Sequence, residues 1–353
     1  MAIDSVPARA GLAIATTHMA GIARPLIEWV PASIAALIAV ATLALAPVGG
    51  ASAQSPATEK QSLRIVVGFP PGGSADVIAR ILADAMRDDF TSVIVENKAG
   101  ASGRIAVSMV KHAAPDGRTL LLTPSGPMVV SPHVYRKLDY DPVKDFTPIS
   151  LVTRFQFGLV SGPSTAVSSM KELIAKAKSD SANATFASPG NGTVPHFLGV
   201  MLAETAGVSL THVPFQGGAP ANNALLGGHV GYKLDVVSET AAFHKAGKLR
   251  IVAVTGAVRD PQVPEVPTLK EQGIDMEATA FFALYGPAGI PAASARQLQQ
   301  SVARAVKQAG VAQRLGGLGY EVIGSTGDEL AKTQKADLAR WEKPIKSTGF
   351  RLD

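Results

Sequence analysis

Apolar residues along the chain form short runs and helical repeats, separated by loops of small residues. The segment Ile65–Val67 is continuously apolar, which indicates a strand buried on both faces. Apolar positions at helical spacing then run from Ala75 to Met86. The intervening Pro70-Pro71-Gly72-Gly73 cannot continue the strand, because prolines lack an amide donor and glycines allow positive φ. We therefore predict a strand, a tight loop and a helix that Ser74 caps.

The same strand–loop–helix pattern recurs through the rest of the chain. Together with the first unit, strands at 92–96 and 119–123 and a helix at 104–112 predict a βαβαβ arrangement with an open parallel sheet. A second α/β domain is predicted from strands at 184–187, 210–215 and 232–237.

Two extended segments, 149–160 and 278–285, are the predicted crossings between these domains. Helices at 293–309 and 328–343 are expected near the end of the chain. The predicted divisions are 54–153 for the first part of domain one, 154–279 for domain two, and 280–353 for the hinge return and the rest of domain one.

The loops at the carboxyl ends of the predicted strands are the candidate ligand site. Ligands of open parallel sheets bind in this position, and a helix that begins with small residues directs free N–H groups at an anion. The candidate ligand-binding residues are Phe69, Gly72, Gly73, Ser74, Asp76, Ser125, Ser188, Asn191, Gly192, Thr193, His196, Phe215, Gln216, Gly217 and Asp235.

Three of these candidates have structural alternatives. Asp76 either offsets the dipole of its helix or binds a ligand ammonium group. His196, in the first turn of its helix, either donates to a ligand oxygen or is a buried residue at a helix end. Asp235 lies inside an apolar strand, and because a buried carboxylate needs partners, a place at the cleft edge is favoured. Its neighbour Lys233 is expected to point outward.

Composition narrows the function classes. A chain of 353 residues with 46% hydrophobic and 17% charged residues is long enough for two folded domains. The net charge of +5 is scattered without a basic stripe or zinc-finger spacing, which argues against nucleic-acid binding and fits a small acidic ligand. The absence of cysteine excludes disulfides and thiolate chemistry. Neither G-x-S-x-G nor H-E-x-x-H occurs and the histidines are dispersed, so we expect no enzyme, metal or cofactor.

The N-terminal residues 1–53 predict a secretory signal peptide with an N-terminal extension. Arg24 precedes the almost wholly apolar segment Ala32–Ala46, and Ala51-Ser52-Ala53 is a small-x-small cleavage site before Gln54. Met19 is an alternative start. A retained membrane anchor is the competing interpretation, but the apolar core is shorter than the ~20 residues that a span needs. We therefore expect a periplasmic location.

With these motifs placed, the chain resembles the solute receptors of the tripartite tricarboxylate transporter family, the Bug receptors. The matching motifs, between Arg64 and about Pro291, include Phe69–Asp76, Val95–Gly103, Ala114–Gly117, Tyr140–Pro148, Pro220 with Leu225–Gly228, Ala246–Arg250 and Val266–Thr268. The resemblance implies a type II periplasmic-binding-protein fold, in which two α/β domains joined by two crossing strands close on a small ligand, usually a carboxylate. It also implies that main-chain groups and waters hold the ligand, supplied here by the first loop and by Ser188–Thr193, and that a membrane permease receives it.

The chain departs from the family pattern at the predicted cleft. The family usually has an aromatic residue, then Arg or Lys, then Gly, where this chain has Phe215-Gln216-Gly217. It often has Asp where Ala224 and Gly231 stand, whereas Asp235 matches the second family aspartate. The missing cation weakens the case for a di- or tricarboxylate and leaves room for a monocarboxylate, an amide or an uncharged ligand. The sequence thus predicts a monomeric solute-binding protein, with an enzyme or a sensor on the same fold as alternatives.

Overall fold

The computed structural model describes residues 61–353 of the chain. The predicted signal peptide and its cleavage site lie outside the described residues. Within residues 61–353, no helix combines the length and the apolar character that crossing a membrane requires.

The described chain alternates strands and helices, as the hydrophobic pattern predicts. The strands are β1 Ser62–Val67, β2 Ser92–Asn97, β3 Thr119–Pro124, β4 Phe146–Ser161, β5 Thr185–Ser188, β6 Thr211–Pro214, β7 Tyr232–Val236, β8 Arg250–Val254, β9 Thr279–Pro287 and β10 Glu321–Val322. The helices are α1 Ser74–Ala85, α2 Arg104–Lys111, α3 Gly126–Val129, α4 Ser131–Val134, α5 Met170–Ser179, α6 Val194–Ala206, α7 Gly218–Leu226, α8 Ala241–Lys245, α9 Ala292–Lys307, α10 Ala309–Gly317 and α11 Gly327–Ser347.

The strands form one sheet path in the order β2-β1-β3-β9-β4-β7-β5-β6, with β8 and β10 also paired to β4. Strands β2, β1 and β3 are parallel and, with their helices, make up the first lobe. Strands β6, β5 and β7 are parallel and make up the second lobe. In each lobe the strand that comes first along the chain, β1 or β5, lies in the middle of the three parallel strands. The order of the strands therefore switches direction at this strand, and the helix-opening loop that follows it lies at the switch. Such a switch is where open α/β sheets bind ligands.

The two lobes are joined through the long strand β4. Its first part pairs with β9, and its last five residues pair with β7 and β8. The predicted crossings at 149–160 and 278–285 therefore correspond to β4 and β9, which run antiparallel to each other. The two-domain α/β fold is confirmed, whereas the division at 153/154 and 279/280 stays a prediction.

The start of α1 differs from the prediction. Gly73, not Ser74, is the N-cap residue, and no side chain of the cap accepts a helix N–H. Gly72 has φ +84° and so uses the freedom that glycine provides, but Gly73 has φ −81° and does not. Ser74 is instead the first helical residue, and its N–H has a partner from the other lobe, described below.

Candidate functional site

A cavity of about 70 Å³ lies where the carboxyl ends of strands from both lobes meet. Its apolar wall is formed by Phe155 and Phe157 of β4, Phe282 of β9, and several loop prolines. Residues i and i+2 of a strand face the same side, which is why the two β4 rings line the cavity together. The polar part of the wall comes from loops and helix starts, and includes Ser74, Ser125, Thr193, Asp235 and Glu239.

Three of the longer helices begin at this cavity, as does the four-residue helix α3. The first residues of α1, α6 and α7 all line it, and these helices have 12, 13 and 9 residues. Each N-terminus carries a partial positive charge and unpaired N–H groups. The first belongs to one lobe and the other two to the second lobe, so the positive ends of helix dipoles from both lobes lie at the cavity.

Glu239 of the second lobe occupies the N-terminus of α1. Its Oε1 accepts hydrogen bonds from the Ser74 N–H at 3.0 Å and from Ser74 Oγ at 2.8 Å. Glu239 lies in a short 3₁₀ turn, Val237–Glu239, that directly follows β7. A carboxylate from across the cleft thus does what a capping side chain does in other helices.

A buried polar network lies behind Glu239. Lys233 of β7 is fully buried, and its Nζ lies 3.0 Å from Asp235 Oδ2 and donates to Asn222 Oδ1 at 2.7 Å. The prediction that Lys233 points outward is wrong, because β7 is a central strand buried on both faces. Asn222 also donates to the backbone oxygen of Glu239 at 2.8 Å, which connects the network to the cavity wall.

Asp235 is buried at the cavity wall with its own set of neighbours. Burial raises the pKa of its carboxyl to about 6; Lys233 opposes this shift and the nearby Glu239 adds to it. Gly218 at the start of α7 makes room for both carboxylates: a Cβ there would lie 1.6 Å from Glu239 Oε2 and 2.6 Å from Asp235 Oδ2. Asp235 therefore lies at the cleft, as predicted, and faces a second acid.

The loop Ser188–Thr193 is held from inside the second lobe. Thr193 caps α6 by accepting from the His196 N–H, and His196 Nδ1 accepts from the Gly192 N–H at 3.2 Å. The His196 ring stacks on His212 with centroids 3.8 Å apart, and His212 Nε2 lies 2.7 Å from Ser188 Oγ. Burial lowers the pKa of His196 to about 4; burial, and then the neighbouring His196, lower that of His212 to about 3.

Contacts between the lobes close over this loop. Ser102 Oγ, from the 3₁₀ turn before α2, donates to the backbone oxygen of Asn191 at 2.7 Å. Gly217 approaches Pro70, since a Cβ on Gly217 would lie 3.0 Å from that ring. Residues of both helix-opening loops, among them Gly73 and Thr193, line the same cavity.

The structure brings part of the predicted set to the cavity wall. The candidates that line it are Phe69, Gly73, Ser74, Ser125, Thr193, Gly217 and Asp235. The others lie outside its lining: Gly72, Asp76, Ser188, Asn191, Gly192, His196, Phe215 and Gln216. Their roles toward a ligand remain predictions.

Asp76 and Gln216 show what the outer candidates do in this structure. Asp76 Oδ2 accepts from the Gly72 N–H at 2.9 Å and its carboxylate pairs with Arg80. Although burial opposes it, these hydrogen bonds hold the pKa of Asp76 below its usual value. The Gln216 side chain is exposed.

Sequence reasoning missed Glu239 and the three phenylalanines. Glu239 follows the carboxyl end of a predicted strand, and this position is the sequence feature that could have marked it as a site residue. Among residues 61–353, no group of three or more His, Asp or Glu side chains is arranged to hold a metal ion.

Comparisons with known proteins agree with this geometry. The sequence model of the tripartite tricarboxylate transporter family receptor matches residues 78–350. Protein BugT of Bordetella pertussis is 30% identical over 320 residues, which are 90% of this chain and 98% of BugT. The solved structure of MatC from Rhodopseudomonas palustris with bound malate aligns with a TM-score of 0.77 and 32% identity, over 81% of this chain and 99% of MatC. The structure of R. palustris Rpa4515 with adipate aligns with a TM-score of 0.79 and 30% identity, over 82% and 98%.

The family model spans well over half of the chain, and the relatives are covered almost completely. The matched family is a receptor family, and the aligned structure of BugD is that of a periplasmic binding protein. The chain therefore belongs to the tripartite tricarboxylate transporter receptor family and is a solute-binding receptor.

Proposed function

We propose that this protein is a periplasmic receptor that closes its two lobes on a small organic acid and delivers it to a tripartite tricarboxylate transporter permease. One observation carries the proposal: three helix N-termini from both lobes converge on a single cavity between them. This arrangement attracts a carboxylate without an arginine or lysine at the site, because oriented N–H groups supply the positive potential. The acids bound by MatC and Rpa4515, malate and adipate, support the ligand class.

We propose that the carboxylate lies in the cavity between the two helix-opening loops, Gly72–Ser74 and Ser188–Thr193, and is bound at the start of α6, because Glu239 already accepts the hydrogen bonds of Ser74. Thr193 and Ser125 line the cavity, and α6 begins directly after Thr193. Each hydrogen bond to a charged group contributes ~1.5–3 kcal/mol, so two or three such bonds decide the affinity. The apolar rings of β4 and β9 then bury the carbon chain of the ligand.

The binding function is tested with the protein purified without its first 53 residues. Native mass spectrometry identifies any acid that copurifies, and titration calorimetry measures the affinity for mono-, di- and tricarboxylates of two to six carbons. We expect at least one carboxylate to bind with micromolar or better affinity. If no carboxylate copurifies or binds, the proposed ligand class is wrong.

Export and delivery need separate experiments. N-terminal sequencing of periplasmic material is expected to give Gln54 as the first residue, and residues before Ala53 in the mature protein would overturn the predicted cleavage site. Uptake of the radiolabelled ligand should require both receptor and permease. Uptake that persists without the receptor would show that delivery does not depend on it.

A further inference from the structure

We propose that Glu239, together with Asp235, sets the charge of the ligand. This end of the cavity accepts a group that donates hydrogen bonds, an ammonium or an amide, and rejects a second carboxylate. The inference rests on the proposed function and narrows it: the ligand carries one carboxylate and, at its other end, a hydrogen-bond donor.

The charges around the cavity are the first support. Among the described residues that line it, the acidic and basic side chains are those of Asp235 and Glu239, both acidic. The nearest buried cation, Lys233, has no solvent exposure and already contacts Asp235 and Asn222. A ligand with two carboxylates would therefore place one of them beside the Glu239 carboxylate, and like charges in contact across an interface are unfavourable.

The position of Glu239 is the second support. Its Oε1 already accepts both the backbone and the side-chain hydrogen bond of Ser74. These donors at the start of α1 are the ones that an incoming carboxylate at this end would need. A dianionic ligand would have to displace Glu239 from them, whereas a neutral or cationic group would not.

The third support is an acceptor whose hydrogen-bonding capacity is not filled. Asp235 lines the cavity with a side chain that is 2% exposed; its Oδ1 accepts from the Val236 N–H, whereas its Oδ2 accepts no aligned hydrogen bond. Lys233 Nζ lies 3.0 Å from it as an ion pair, but is not aligned as a hydrogen-bond donor. Because Gly218 has no side chain, Glu239 Oε2 and Asp235 Oδ2 lie together beside its backbone. Two carboxylate oxygens side by side suit an NH₃⁺ or NH₂ group, which donates to both.

The test compares ligands of matched shape that differ in one end group. Titration calorimetry is run with adipate, its monoamide and 6-aminohexanoate, and with succinate, succinamate and 4-aminobutanoate. The proteins are the wild type, Glu239→Gln and Glu342→Gln. Glutamine at 239 keeps the acceptor for Ser74 and removes only the charge. Glu342, paired with Lys346 on α11, is a control with the same change in net charge outside the cavity.

In the wild type we expect the monoamide or the amino acid to bind at least about tenfold more tightly than the dicarboxylate of the same length. Glu239→Gln should reduce this ratio by about tenfold or more, and Glu342→Gln should leave it unchanged. A wild type that prefers the dicarboxylate, or a ratio unaffected by Glu239→Gln, overturns the inference and leaves the proposed function standing. If none of the six compounds binds any of the three proteins, the inference falls together with the proposed affinity for small carboxylates.

Discussion

At the scale of single residues, the pair formed by Lys233 and Asp235 is the most consequential for stability. Both side chains are buried, with 0% and 2% exposure, and Asn222 accepts a hydrogen bond from the ammonium. Removal of one partner from such a pair leaves an uncompensated buried charge. Lys233→Met is therefore expected to lower the free energy of unfolding, measured in urea, by about 3–5 kcal/mol. The double variant Lys233→Met/Asp235→Leu should regain a large part of this loss, and a single variant as stable as the wild type would contradict the argument.

The stacked rings of His196 and His212 predict how stability depends on pH. Their pKa values are lowered to about 4 and about 3, so both rings stay neutral in the folded protein while the unfolded chain takes up protons near pH 6.5. A lowered pKa gives stability that is present above pH 6.5 and lost as the pH falls towards the folded value, by up to about 1.4 kcal/mol per pH unit for each ring. Asp235, with its pKa raised to about 6, acts in the opposite direction, because its contribution is lost as the pH rises through that value.

A comparison of variants isolates the histidine contribution. Urea unfolding of His212→Gln between pH 7 and pH 5 should show a flatter pH dependence than the wild type, since glutamine keeps a polar partner for Ser188 and does not titrate. His112→Gln, at an exposed position, serves as the control and should leave the slope unchanged. If the free energy of unfolding depends on pH equally steeply in His212→Gln and in the wild type, the fold does not hold His212 neutral.

At this scale the sequence could not show which residues distant along the chain become contact partners. The Ser74 N–H donates to Glu239, which is 165 residues away along the chain. The prediction that the Ser74 side chain caps α1 is therefore wrong, because the partner at this N-terminus is distant in sequence. Lys233 is buried because β7 lies between β4 and β5 in the sheet. The alternation of polar and apolar residues along one strand does not show which strands lie beside it. By contrast, Ser169 caps α5 with its own side chain, and that contact spans only three residues, a distance within the reach of local sequence patterns.

At the scale of elements, the spacing of apolar residues was sufficient to predict most helices but not the pairing of strands in the sheet. Helix α6 begins at Val194 and ends at Ala206, as the apolar spacing and the following glycine indicate. The sequence also located both crossing segments. It did not reveal that β4 pairs with β7, β8, β9 and β10, because register between distant strands depends on tertiary packing. The aromatic wall of the cavity follows from that pairing, and was missed for the same reason.

The start of α7 offers a test of how closely the elements pack around Glu239. In Gly218→Ala the new methyl group overlaps Glu239 Oε2, so the carboxylate has to leave Ser74. The loss of charge-assisted hydrogen bonds should lower the free energy of unfolding by about 1.5–3 kcal/mol. The matched control is Gly310→Ala in α10, where a Cβ meets no atom within 4 Å and alanine favours the helix. Equal stabilities of the two variants in urea would mean that Glu239 relocates at no cost.

At the scale of the whole molecule, the contacts between lobes are mainly polar, with one aromatic cluster. Ser102 reaches Asn191, Glu239 reaches Ser74, and Ser238 Oγ lies 2.7 Å from the Tyr320 hydroxyl. The Phe350 ring packs edge-on against the rings of His196 and Phe197. Such hydrogen bonds contribute about 0.5–1.5 kcal/mol each when neutral and about 1.5–3 kcal/mol when one partner is charged, because water replaces them when the lobes separate. Two lobes held mainly by contacts of this kind are expected to open and close in solution unless a ligand adds contacts to both.

The ligand should therefore drive closure, with β4 and β9 as the paired crossings. A ligand shifts the equilibrium only by the difference between its affinities for the closed and open forms, and a carboxylate at the helix N-termini contacts both lobes only when they are closed. At about a hundred times its dissociation constant the ligand should stabilise the fold by ~2.7 kcal/mol, a rise in Tm of roughly 5–10 °C. Small-angle scattering of the same sample should give a smaller radius of gyration than the ligand-free protein. A ligand that raises Tm but leaves the scattering curve unchanged would show that the cleft is preformed and that no hinge motion accompanies binding.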